Sequence, residues 1–120
     1  FKGRSHQMSD WVRGHAVNPM NQAWLSKIPL KTLNENYRLK KEYFPDQAFF
    51  RTLDTLCGNR LAGSIREDWL VFQEKGLDRI SERLKKKLLR KYRSFRSPYA
   101  EEIVGWLKGQ YKFDPNCLTE

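Results

Sequence analysis

The sequence predicts an all-α fold, a compact single domain of five or six short helices whose penultimate helix is amphipathic and basic. Three observations carry this. Apolar residues recur at steps of three and four in successive segments, and no stretch alternates apolar and polar residues long enough to demand a strand. The segments are also punctuated by helix start and stop signals: Asn18-Pro19, Pro45-Asp46, Cys57-Gly58-Asn59, Gly76 and Ser97-Pro98. At 120 residues, with 39% hydrophobic and 13% aromatic side chains, the chain is large enough to bury roughly two-thirds of its unfolded surface. Disorder is excluded by that apolar content. Internal repeats and low-complexity linkers are absent from the sequence.

The opening stretch to His15 is polar, glycine-containing and basic, with Met8, Trp11 and Val12 as its only anchors. Residues 1–17 therefore read as an arm or short helix, with room for a short hairpin, and 18–120 as the helical domain. Asn18 with Pro19 reads as an N-cap and first helical position, leading a short helix through Trp24 and Leu25 that Pro29 ends. The next helix is expected from about Leu33 to Phe44, with Leu33, Tyr37, Lys40 and Phe44 on one face, and it ends before Pro45. Asp46 then caps a helix whose apolar stripe is Ala48, Phe49, Phe50, Leu53, Leu56 and Cys57, closed by Gly58.

From Arg60 to about Glu74, Leu61, Ile65, Trp69 and Phe72 recur at helical spacing, and Gly76 supplies the C-terminal cap. A helix from Leu77 to Arg96 follows, with Leu77, Ile80, Leu84, Leu88, Tyr92 and Phe95 on one stripe. Arg79, Arg83, Lys86, Arg90 and Arg93 fall on the opposite face. Lys91 projects near the apolar stripe, so either the helix frays before it or its aliphatic stem lies over the core with the ammonium in water. Ser97 and Pro98 restart a helix whose Glu101 and Glu102 suit its positive N-terminal end. Its buried side is Ile103, Val104, Trp106, Leu107 and Tyr111, and Phe113-Asp114-Pro115 terminates it. Trp69 and Trp106 read as core; Trp11 and Trp24, in short segments, read as core or as exposed partner anchors.

Charge placement is the strongest functional signal. The formal net charge is +9, and between Arg83 and Arg96 there are eight basic residues and no acidic one. Such a concentration attracts phosphates or an acidic protein. Uncompensated like charges at i,i+4 also weaken a helix, which argues against a merely solvated face. The expected function is nucleic-acid binding through phosphate contacts by Arg79, Arg83, Lys86, Lys87, Arg90, Arg93 and Arg96. RNA is expected ahead of DNA, because Tyr92, Phe95 and Tyr99 lie beside the basic stretch and no helix-turn-helix is readable. Helical spacing nevertheless puts Tyr92 and Phe95 first with the core.

Two rivals come from other classes. His6 and His15, with Lys2, Arg4, Asp10 and Arg13 around them, are candidate general base and acid for RNA cleavage, with Arg4 or Lys2 on the phosphate. The chain begins with Phe1 rather than Met, so it reads as an excerpt or processed fragment. A detached nuclease end of a bacterial toxin, neutralised by an acidic inhibitor protein, fits that reading. The second rival is a module that docks on an acidic protein or an anionic membrane surface; the commitment of the apolar stripe to the core disfavours lipid. No metal site is expected: His6 and Asp10 are an i,i+4 pair with Asn18 and Asn21 downstream, but they match no ligand spacing. Glycine-rich phosphate loops and other catalytic signatures are also missing, and no cofactor is implied. Glu67-Asp68 and Glu101-Glu102 read as helix surface and capping. Cys57 and Cys117 match no metal or redox spacing and read as reduced thiols, with a single disulfide as the alternative. No apolar run reaches the ~20 residues of a membrane span, and a soluble domain acting in the cytoplasm is expected.

Overall fold

The computed structural model describes residues 3–18 and 20–111. It is all-helical, with six α-helices and no strand among the described residues. The helices are α1 (Met8–Trp11), α2 (Lys27–Leu39), α3 (Pro45–Cys57), α4 (Asn59–Leu70), α5 (Glu82–Arg93) and α6 (Pro98–Leu107). Contacts group the chain into two units, Phe1–Trp69 and Leu70–Glu120. No helix among the described residues is long and apolar enough to cross a membrane.

In the first unit α1 is a single turn with no buried residue. The helix expected between Asn18 and Leu25 is absent from its described part: Pro19 lies outside the described residues, and the chain enters α2 through a turn over residues 23–26. Ser26 is spent on that turn, its hydroxyl donating to the carbonyls of Gln22 (2.7 Å) and Met20 (3.3 Å). Pro29 does not end a helix but lies in the first turn of α2, where its missing N–H has no intrahelical acceptor to serve. α2 ends at Leu39, because Lys40 takes a positive φ of 51° and turns the chain into a short 3-10 turn, Lys40–Glu42. Lys40 and Phe44 are therefore exposed rather than on a buried face.

α3 starts at Pro45, one residue before the expected Asp46 cap, with extended Phe44 in the cap position. It packs on α2, with Ile28, Thr32 and Leu33 buried on α2 and Ala48, Thr52 and Leu53 buried on α3. Arg51 reaches back to the nearly buried Glu35 at 3.0 Å. Gly58, at φ +74°, makes the bend into α4 that a side chain would resist. Arg66 of α4 pairs with the Asp54 carboxylate and donates to the Phe50 carbonyl at 3.1 Å. Trp69 is half-buried rather than in the core, its ring 6.0 Å from that of Phe49. Cys57 is a free, half-buried thiol; Cys117 lies outside the described residues.

The second unit opens with a π-helical turn, Val71–Lys75, closed by Gly76 at φ +62°. The helix expected from Leu77 to Arg96 is divided. Leu77–Arg79 forms a 3-10 turn, Ile80 is extended, and α5 begins only after Ser81. α5 packs on α6, burying Leu88 and Tyr92 on one helix and Tyr99, Ala100, Ile103 and Leu107 on the other. Full burial of Leu88 and Leu107 contributes about 1.5–3 kcal/mol each. Phe72 joins this core, 5.7 Å from the ring of Tyr92 and edge-on to half-buried Trp106 at the same distance. Ser97 and Pro98 begin α6 as expected; Phe113-Asp114-Pro115 lies outside the described residues.

Candidate functional site

α5 is held at its start by Ser81, whose hydroxyl oxygen accepts from the Leu84 N–H at 3.3 Å. Glu82 sits at the positive end of the helix dipole, and Arg90, Lys91 and Arg93 at the negative end. Leu88 and Tyr92 fix which face is buried. Arg83, Lys86, Lys87, Arg90 and Arg93 are then all exposed, and at 100° per residue they fall within an arc of about 120° running for about 15 Å along the helix. None of the five makes an ion pair among the described residues.

The other two cations of α5 are engaged locally. Lys85 pairs with Glu82 at 3.6 Å. Lys91 stays within the helix, half-buried, with its ammonium 6.0 Å from the Tyr92 ring centroid; of the two expectations, fraying before it is overturned, since α5 runs on to Arg93. Arg79 and Arg96 are exposed but belong to the 3-10 turn before α5 and to the segment after it. The aromatic residues divide by burial. Tyr92 is 0% and Tyr99 5% exposed, so neither offers a ring face to a base, while Phe95 is half-buried with its ring 6.3 Å from that of Tyr92.

The two histidines are not joined by a hydrogen bond. His15 uses both ring nitrogens elsewhere: Nε2 lies 3.1 Å from an Arg4 guanidinium nitrogen and Nδ1 lies 2.6 Å from the Tyr37 hydroxyl. A guanidinium only donates, so Nε2 accepts, and the neutral ring carries its proton on Nδ1 facing Tyr37. Asn36 donates to the Arg4 carbonyl at 3.1 Å, fixing that segment to α2. Half-buried His6 contributes its backbone carbonyl to Ser9, at 2.8 Å from the hydroxyl. Tyr37 escaped sequence reasoning as a partner of His15, because residues 22 apart share no local pattern. Lys2 lies outside the described residues. Groups of three or more potential metal ligands are absent among the described residues. Trp11 is 86% and Trp24 41% exposed, and the Lys27 ammonium sits 3.5 Å from the Trp24 ring centroid.

Comparison with protein-family models, with curated proteins and with solved structures gave no match to this chain.

Proposed function

We propose that this chain binds nucleic acid, RNA ahead of DNA, through phosphate contacts made by the exposed face of α5. One observation carries the reading: Arg83, Lys86, Lys87, Arg90 and Arg93 share one exposed face without an acidic partner among the described residues. Side chains with these charges at i,i+3 and i,i+4 repel one another. The fold tolerates that because the opposite face of α5 is anchored by Leu88 and Tyr92. A phosphate backbone relieves the repulsion and releases its own counterions. The half-buried ring of Phe95, between Arg93 and Arg96 in sequence, supports RNA or another single strand over duplex. Titration of labelled single-stranded RNA, its DNA counterpart and duplex DNA tests the reading. Lys86→Glu with Arg90→Glu should abolish most binding while leaving the helical circular dichroism unchanged. Tighter binding of an acidic polypeptide than of any nucleic acid would replace the reading with an acidic-protein partner.

A second reading, ribonuclease activity, is favoured by the setting of His15. An imidazole oriented by Tyr37, whose Nε2 is released as a base when Arg4 moves onto a phosphate, has the components of a base with a phosphate-binding cation beside it. An acidic inhibitor protein would be its expected partner. Incubation with structured and unstructured RNA, with and without EDTA, decides between binder and enzyme. His15→Ala should lower cleavage by ~100-fold or more at unchanged affinity, and intact RNA with the wild-type chain would dismiss the enzyme.

A further inference from the structure

An open cavity of about 620 Å3 lies where the end of α5 meets one face of α6, within the ~300–1,000 Å3 range of small-ligand sites. Its walls combine three kinds of chemistry. Arg93, Arg96 and Lys108 supply cations, Phe95 and Val104 supply apolar surface, and Glu101 supplies a carboxylate. Glu101 and Val104 on α6 and Lys108, the αR residue that caps it, are spaced i, i+3 and i+7, which brings them to one side of the helix. Glu101 makes no ion pair with any of the three cations that line the same cavity, nor do they pair elsewhere among the described residues. Both signs of charge therefore keep their hydrogen-bonding capacity.

That combination selects against simple ligands. An inorganic anion would use the cations but would be repelled by Glu101, and an apolar ligand would desolvate four charges without compensating them. A nucleotide satisfies all three, having a flat base with a π-face, N–H donors on its edge and an anionic phosphate. We infer that this cavity takes one unpaired nucleotide of a single strand, its base against Phe95 and Val104, its phosphates on Arg93, Arg96 and Lys108, and its N–H edge on the Glu101 carboxylate. The inference rests on the nucleic-acid reading of α5, whose exposed cations lead into the cavity at Arg93. A carboxylate only accepts, with two oxygens side by side. Guanine offers two adjacent N–H donors on its Watson–Crick edge, whereas adenine offers one donor beside an acceptor nitrogen that would face the negative charge. The occupant is therefore a guanine.

The test uses two labelled oligouridylate strands, one with a single central guanine and one with a central adenine, against the full chain. The wild type should prefer the guanine strand by on the order of tenfold, the scale of a hydrogen bond to a charged group. Glu101→Gln, a change on an exposed side chain, should remove the preference while lowering the melting temperature only by the small contribution of a first-turn carboxylate to α6. Phe95→Leu preserves apolar packing but removes the ring, and should weaken both strands by on the order of tenfold. If the wild type binds RNA, loses it in the Lys86→Glu, Arg90→Glu variant, yet shows no base preference and tolerates Phe95→Leu, the cavity assignment is overturned while the α5 reading stands. If no strand binds the wild type, both fall together.

Discussion

Thr52 is fully buried on α3, and its hydroxyl finds no hydrogen-bond partner among the described residues. A buried unsatisfied polar atom costs about 1–3 kcal/mol, and removing it with a side chain of the same shape recovers part of that cost. Thr52→Val should therefore raise stability by about 1 kcal/mol in urea denaturation; a loss would reveal an undetected partner for the hydroxyl. Cys57, five residues on, gives a pH prediction. Burial pushes its thiol up from 9.0 to about 11, and burial, the larger cause, with Glu35 nearby also raises Tyr43 against the opposing Thr32 and Arg51 contributions. Between about 9 and about 11 the unfolded thiol has released its proton and the native one has not. Since the native state then binds more protons, stability must fall as pH rises through that window. The melting temperature should decline from pH 9.0 towards about 11, and Cys57→Ser should flatten the decline. An equal decline in both proteins would remove Cys57 as its source.

At the scale of elements, the capping of α5 and the two glycines inside helices make opposite predictions. Ser81→Ala deletes the acceptor for the Leu84 N–H and should cost about 1 kcal/mol, whereas Ser81→Asp should hold stability because Asp caps equally well. Gly63 lies within α4 with nothing within 4 Å of the place a Cβ would occupy, so Gly63→Ala should gain up to ~1 kcal/mol of helix propensity. A Cβ at Gly105 would stand 2.7 Å from Oε1 of the exposed Gln110 side chain and 3.0 Å from the Tyr111 ring, so Gly105→Ala should gain less than Gly63→Ala, because those side chains must shift to admit it. Thermal melts of these variants check the three together. The same elements show what local pattern conveys. α3, α4 and α6 were legible because apolar spacing and stop signals coincide at Gly58, Gly76 and Ser97-Pro98. The start of α5 was not, because Leu77 and Ile80 continue its stripe in phase, so periodicity runs straight through the break. Only Ser81 beside Glu82 marks it. The α2 boundary failed for a related reason: Pro29 is compatible with a first turn as well as with an end. The exposed cations of α5 were legible because charge placement is a property of the sequence itself. The Arg4, His15 and Tyr37 contacts and the cavity beside Phe95 depend on segments meeting in space, which no local pattern encodes.

For the whole molecule the question is whether net charge or its placement governs binding. The chain carries +9, and any polycation gains affinity for nucleic acid from counterion release. Placement matters if the α5 face acts as one contact surface. Its five exposed cations, spread along about 15 Å of helix, are expected to make about four phosphate contacts. Four contacts give a slope of log affinity against log salt near −3 for a single strand, from about −0.7 per phosphate. Lys86→Glu with Arg90→Glu removes two of them, so the slope should flatten to about −1.5 and affinity should fall most at low salt. The control is the same charge change made at Lys41 and Lys75, both exposed and neither on α5. If placement governs, that variant should retain a slope near −3 and lose little affinity beyond the general screening of net charge. Equal losses and equal slopes in the two variants would reduce α5 to one contributor among many to a diffuse positive field, and an unaffected α5 variant would leave its cations as solvated surface.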